Sequence, residues 1–181
     1  MDQKLASEIE IPEGTTVNID RGLIRVKGKR GEVSKKLLYP GINIRQEQNK
    51  IVISSKRSTK REKKIISSFN AHIKNLIKGA NEGYIYKLKI CSGHFPMNVS
   101  VSEKEFSIKN FLGEKKPRKL KLPENVKVKI DGNEVIVEGN NKEETGQTAA
   151  SIEHLTKVKN RDRRIFQDGI YITNKAGKEI K

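Results

Sequence analysis

The sequence predicts an α+β fold: two tandem, duplicated small domains, each an antiparallel or mixed sheet packed against a helix. Three observations point to it. One segment pattern occurs twice, 111 residues apart, as Ile11-Pro12-Glu13-Gly14 and Leu122-Pro123-Glu124-Asn125. Each copy leads into alternating strands that align without a gap, so that Val17, Ile19, Asp20, Val26 and Gly28 match Val128, Ile130, Asp131, Val137 and Gly139. A helix-like stretch follows each strand pair, and 181 residues make two domains of roughly 80 to 100 residues each. The expected domains are 1–82 and 83–181, the second carrying a basic loop and tail.

The elements follow from periodicity and punctuation. Apolar residues alternate from Ile9 to Ile19 around Pro12 and a Gly14 turn, and Asp20-Arg21-Gly22 turns the chain into Leu23–Lys27. The polar Lys29-Arg30-Gly31-Glu32 turn leads on toward Leu37. Ile42, Ile44, Ile51 and Ile53 then form a second hairpin around Gln48-Asn49, giving about four strands in this half. Ser58 or Thr59 is placed to cap the next segment, and Glu62 has the capping-box spacing to Thr59 alone. Ile65, Phe69, Ile73 and Ile77 recur every four residues, with Ile66 and Leu76 beside them, so this is an amphipathic helix, ended at Gly79. It covers one face of the sheet, since neither element can hide its apolar side alone.

In the second half Tyr84–Cys91, Asn98–Val101 and Phe106–Lys109 read as strands, and 110–121 as a basic connection. Val126–Ile130 and Val135–Val137 form a hairpin through Asp131-Gly132-Asn133. A helix from Lys142 to Lys157 presents Ala149, Ile152 and Leu155, and Gly169–Ile172 is a short final strand before a polar tail.

Thirty-eight basic against 22 acidic side chains give a formal net charge of +16, a field that attracts phosphate backbones or anionic surfaces. The single cysteine, Cys91, rules out an internal disulfide framework and is expected to be a small buried residue. Met1-Asp2-Gln3-Lys4 begins no apolar leader and no stretch approaches 18 apolar residues, which argues against secretion and membrane spanning.

The cations fall in four clusters. Arg21, Arg25, Lys27, Lys29 and Arg30 surround the first hairpin, and Lys56, Arg57, Lys60, Arg61, Lys63 and Lys64 load the start of the first helix. For these two, a solvated face and a phosphate surface are equally consistent, although cations at a helix N-terminus oppose its dipole. Lys115, Lys116, Arg118, Lys119 and Lys121 crowd a turn-rich segment, where like charges repel unless an anion relieves them. Lys157, Lys159, Arg161, Arg163 and Arg164 follow the second helix, and the arginines offer planar forks suited to phosphate oxygens. These last two clusters carry the candidate RNA-binding residues: Lys115, Lys116, Arg118, Lys119, Lys157, Lys159, Arg161, Arg163 and Arg164. No helix-turn-helix, zinc-finger, basic-zipper or single-strand-binding signature is present, so structured RNA is favoured over sequence-specific DNA. Phe111, Phe166 and Tyr171 are read as anchors for the basic loops, with base stacking as the alternative.

A search for chemistry nominates no catalytic residue and no cofactor. His72, His94 and His154 are too far apart to form a metal motif. Asp20 and Asp131 occupy equivalent hairpin turns, Gly28 and Gly139 mark a repeated bend, and a nucleophile such as Ser92 makes only a weak case for catalysis. The chain is therefore read as a non-enzyme.

Gly93-His94-Phe95-Pro96, the run Asn110-Phe111-Leu112-Gly113-Glu114-Lys115-Lys116-Pro117-Arg118 and the run from Asn160 through Arg163-Arg164-Ile165-Phe166-Gln167-Asp168-Gly169 to Tyr171 closely resemble the universal large-subunit ribosomal protein L6 family in its archaeal and eukaryotic form. The resemblance covers nearly the whole chain, with Ser92 standing where members often carry Tyr. The missing long Lys-rich N-terminal addition suggests the archaeal type. The resemblance implies two similar α+β domains from an internal duplication, and a cytoplasmic place in the large ribosomal subunit. It implies attachment to large-subunit rRNA near the translation-factor site and the sarcin-ricin loop, with neighbouring large-subunit ribosomal proteins and translation factors as partners and no membrane. It makes the second domain the principal anchor and Lys115, Lys116, Arg118, Arg161, Arg163 and Arg164 the leading contacts. The competing readings are an extraribosomal or nonspecific binder of structured RNA and a protein-interaction module built on an exposed edge strand.

Overall fold

The computed structural model describes residues 5–180; Met1 to Lys4, on which part of the reading of the N-terminus rests, lie outside the described residues. The chain divides into two compact units, Met1–Gly83 and Tyr84–Lys181. Each is α+β, with antiparallel sheets packed against one helix.

In the first unit β1 (Leu5–Glu10), β2 (Thr16–Asp20), β3 (Leu23–Gly28), β4 (Gly31–Lys36), β5 (Ile42–Glu47) and β6 (Lys50–Ser55) precede α1 (Lys60–Asn81). Six strands in two three-stranded sheets, β1-β6-β5 and β2-β3-β4, replace the expected four. The segment read as a turn after Gly28 is β4, pairing along its length with β3, and β1 crosses to β6, setting Ile9 opposite Ile51. Both sheets cover α1, so Ile24, Val26, Ile51 and Ile53 are buried with Ile66, Ile73, Leu76 and Ile77, while Ile65 and Phe69 are only half-buried.

The ends of α1 differ from expectation. Thr59 occupies the N-cap position but its side chain makes no cap hydrogen bond, and Glu62 Oε2 is buried without a partner among the described residues, so no capping box forms. Gly79 is buried within the last helical turn. The helix stops four residues later at Gly83, which takes the left-handed conformation (φ 76°), and the Glu82 and Gly83 N–H groups both donate to Lys78 O.

The second unit contains β7 (Tyr84–Cys91), β8 (Asn98–Val101), β9 (Glu105–Lys109), a 3-10 turn (Phe111–Gly113), β10 (Arg118–Lys121), β11 (Val126–Asp131), β12 (Glu134–Gly139), α2 (Lys142–Leu155), β13 (Gly169–Lys175) and β14 (Lys178–Glu179). Its sheets run β10-β9-β8 and β11-β12-β7-β13-β14. The basic connection after β9 thus ends in a strand, and the tail folds back as β14. Thr145, Thr148, Ala149 and Ile152 of α2 are buried on a core that includes Leu88, Phe106, Ile108, Val135, Val137 and Ile170.

The duplication is real, but its register is not the one that the 111-residue spacing suggests. The same local motif occurs three times: a tight turn, closed by Thr15 N–H to Pro12 O, Ile42 N–H to Tyr39 O and Val126 N–H to Pro123 O, each at 3.2 Å, followed by a hairpin. The two-residue hairpin loops are Arg21-Gly22, Gln48-Asn49 and Gly132-Asn133. Pairing beyond the hairpin decides which copies are equivalent. β6 and β12 are central strands, flanked by β5 and β1 or by β11 and β7, and each leads directly to a helix; β3 instead pairs with β4. The counterpart of β11–β12 is therefore β5–β6, 84 residues earlier, from Ile42 to Val126 and from Lys50 to Glu134. Gly28 and Gly139 accordingly serve different contacts. A Cβ at Gly28 would lie 2.7 Å from Ala80 O at the end of α1, whereas at Gly139 it would strike the Thr145 hydroxyl in the first turn of α2. No helix among the described residues is long and apolar enough to cross a membrane.

Candidate nucleic-acid interface

Three segments far apart in sequence are tied together in the second unit. After β9, Asn110 (φ 60°), Leu112 (φ 49°) and Gly113 (φ 80°) all take left-handed backbone conformations, which coil the chain tightly and drop Phe111 into the core at 1% exposure. Arg118, at the start of β10, reaches back across this coil. Its Nε and Nη2 donate to the two carboxylate oxygens of Glu114 at 2.8 and 2.5 Å, and its guanidinium lies 4.2 Å from the centre of the Phe111 ring. Its Nη1 donates to Leu155 O at 2.5 Å, at the C-terminus of α2, where carbonyls lack helical partners and the dipole is negative. The Arg118 hydrogen bond holds the Glu114 carboxyl below its ordinary range; burial opposes this, and the charges of Arg118 and Arg161 reinforce it.

The segment after α2 is pinned at both ends. Thr156 Oγ1 accepts from Ile170 N–H at 2.9 Å, and Val158 is buried. Between these pins Asp162 organises a tight loop: its Oδ1 accepts from Arg164 N–H at 2.9 Å, and its carbonyl accepts from the N–H groups of Ile165 and Phe166. Arg161 lies 4.8 Å over the Phe166 ring, and Phe166 stacks on His94 with centroids 4.8 Å apart.

The base of this stack is Asp168, 1% exposed. Its carboxylate meets His94 Nδ1 at 2.6 Å and accepts from the backbone N–H groups of His94, at 2.9 Å, and Gly93. Burial pushes the Asp168 carboxyl up, but the hydrogen bonds from His94 and Gly93 and the His94 charge outweigh it and leave it below its usual value. Asn110 Nδ2 donates to Pro96 O at 3.1 Å, and the Phe95 ring lies beside Gly113, so the 93–97, 110–118 and 155–168 segments form one surface.

On that surface Lys115, Lys116, Lys157, Lys159, Arg163 and Arg164 are exposed, and among the described residues their side chains make no hydrogen bond or ion pair. Lys119 is exposed but pairs with Glu105 at 3.1 Å, and Arg161 is exposed and spread on Phe166. Arg118 is different: three of its donors serve the fold, and Glu114 supplies the anion that the crowded charge was expected to seek outside. Of the three aromatics read as anchors, Phe111 and Phe166 hold loops, whereas Tyr171 is 42% exposed. Cys91 is half-buried rather than buried. The brace residues Glu114, His94 and Asp168 went unassigned in the sequence: His94 and Asp168 are 74 residues apart, and Glu114, only four residues from Arg118, reads as one more charge in a basic run. Among the described residues no three His, Cys, Asp or Glu side chains gather where they could hold a metal ion.

The segments that converge here fall largely within what the Ribosomal protein L6 family model matches, residues 11–83 and 95–169. The chain belongs to the ribosomal protein L6 family. Among its curated L6 relatives, the large ribosomal subunit protein uL6 of Methanosarcina mazei is 48% identical over 176 residues, covering 97% of this chain and all of the relative. The uL6 of Methanococcus vannielii is also 48% identical over 176 residues, covering 97% of each. Both relatives are archaeal, in keeping with an L6 protein of archaeal and eukaryotic type. L6 proteins are structural rather than enzymatic.

Proposed function

We propose that the chain is a structural constituent of the large ribosomal subunit, in the cytoplasm, and clamps large-subunit rRNA near the translation-factor site and the sarcin-ricin loop. The second domain is the principal anchor, with neighbouring ribosomal proteins around it. The observation that carries this reading is the braced cationic surface. Arg118 and Asp168 are consumed internally to fix three loops, leaving Lys115, Lys116, Lys157, Lys159, Arg163 and Arg164 without internal partners among the described residues. Unpaired cations on braced loops suit recognition of a folded phosphate backbone, because little backbone freedom of the loops remains to be lost on binding. The clamp stabilises RNA tertiary structure and forms no covalent bond.

Footprinting on large-subunit rRNA with unrelated structured RNA as competitor tests this. Protection confined to the sarcin-ricin region, surviving competition and weakened by Arg163→Ala with Arg164→Ala, is the expected result. Equal binding to every RNA would instead identify a nonspecific polyanion binder.

A further inference from the structure

Beside the braced loops, β13 carries an aromatic ring that the clamp as described leaves unused. Tyr171 is 42% exposed, yet two contacts hold it. Its hydroxyl donates to Gln167 O at 3.2 Å, and the ring leans back over Gly169, where a Cβ would come within 3.0 Å of Cζ and 3.1 Å of the hydroxyl oxygen. A side chain at residue 169 would therefore lift the ring. Glycine here permits a flat, tethered surface that rests on backbone and remains open to solvent.

This ring lines a depression together with Cys91, Ser92, His94, Ile165 and Gln167. Ile165 is 62% exposed at the tip of the arginine loop, next to Arg164 in the chain, and Arg163 lies close enough for its charge to act on the Tyr171 hydroxyl. The Gln167 amide donates to Arg164 O at 3.3 Å, which leaves its oxygen and second N–H for another partner. An aromatic surface, an apolar flank and one amide thus lie beside Arg163, with Arg164 next to Ile165 in the chain. The requirements of an unstacked nucleobase are the same: a π-face to lie on, a donor and acceptor at its edge, and positive charge for the phosphates on either side. An apolar peptide would have no use for the arginine rim.

We propose that this depression seats one unpaired base of the bound RNA, stacked on Tyr171 and flanked by Ile165, with Arg163 and Arg164 on the adjoining phosphates. The inference rests on the RNA-binding reading above and adds a contact through a base to one made through the backbone.

The test compares the full-length chain with its Tyr171→Ala, Tyr171→Phe and Ile165→Ser variants for binding to transcribed large-subunit rRNA across a salt series, with ultraviolet cross-linking of the unsubstituted complex. Loss of the ring is expected to weaken binding about 5- to 150-fold, the range for one base stacked on an aromatic side chain. The salt dependence stays unchanged because no cation is removed. Tyr171→Phe keeps most of the affinity, Ile165→Ser loses a smaller part, and the cross-linked peptide contains Ile165 or Tyr171. Wild-type affinity in Tyr171→Ala, or equal losses in the Ala and Phe variants, overturns the base seat while leaving the clamp intact. Should Tyr171→Ala fail to fold, unchanged affinity of Ile165→Ser together with cross-links confined elsewhere overturns it. Failure of the unsubstituted chain to prefer this rRNA over unrelated structured RNA would overturn the clamp itself.

Discussion

Arg118 and Asp168 show how charged residues near a binding surface divide between holding it and meeting its ligand. Arg118 combines a two-point carboxylate bond, a bond to a helix-end carbonyl and contact with a buried ring, all in one planar group. Its replacement by Ala is expected to cost about 1–3 kcal/mol in urea unfolding of the second domain. Lys should restore little, since an ammonium cannot reproduce the fork. Glu114→Gln should cost less, because the Leu155 and Phe111 contacts survive. For Asp168 the expectation concerns pH. Its folded pKa is lowered, so its stabilisation is present above the unfolded carboxylate range and is lost as pH falls through the folded value. Thermal melts should show stability falling below about pH 4, and Asp168→Asn should lower stability at neutral pH and flatten that acid limb. None of this was legible residue by residue. The cations of 115–118 and 161–164 stand out in the sequence, but that Arg118 turns inward is decided by Leu155, 37 residues away, and Asp168 acquires its role only through His94, 74 residues away.

Helices and strands were legible to the extent that their signals are local. The four-residue spacing of Ile65, Phe69, Ile73 and Ile77 locates α1, and alternation locates β7, β8, β9 and β11 to within a residue and the middle of β12. Caps were less legible, because a capping residue reveals the possibility of a bond and not its formation. Asn141 Oδ1 accepts from Glu143 N–H at 3.0 Å, whereas Thr59 makes no such bond. Asn141→Ala should therefore destabilise the second unit by about 1 kcal/mol, while Thr59→Ala leaves the first nearly unchanged. Parallel denaturation of the two variants checks the contrast; equal losses would contradict it. Of the strands missed in sequence, β4 and β10 are polar segments whose strand character comes from pairing with β3 and β9. Their own residues, Gly31–Lys36 and Arg118–Lys121, bury few side chains and so carry little periodic signal.

Over the whole molecule, a net charge of +16 sets the expectation of strongly salt-dependent RNA binding without saying where the RNA lies. Exposed cations also stud the first unit, for example Arg25 and Lys27 on the outward side of β3. What distinguishes the second unit is the rigid bracing of its cationic loops. Removing one cation that neutralises a phosphate should reduce the slope of log affinity against log salt by about 0.7–0.9. Joint replacement of Arg163 and Arg164 by Ala should thus flatten it by about 1.4–1.8 if both touch phosphate, with the melting temperature unchanged because both side chains are exposed. An unaltered slope would move the RNA off this loop.

By itself, the sequence determined the class of the fold, the existence of a duplication, the two helices, the family and the basic segments. All are written in local periodicity, composition or contiguous motifs. Only the tertiary structure decided which hairpin is the true counterpart of Val126–Gly139, since three segments share one local pattern and strand pairing at long range separates them. It also decided that Arg118 is a brace, that Asp168 supports a stack ending in Arg161, and that Tyr171 lies over Gly169 with its ring partly open. Those roles depend on contacts between residues distant in the chain, and a one-dimensional pattern carries no record of such contacts until folding creates them.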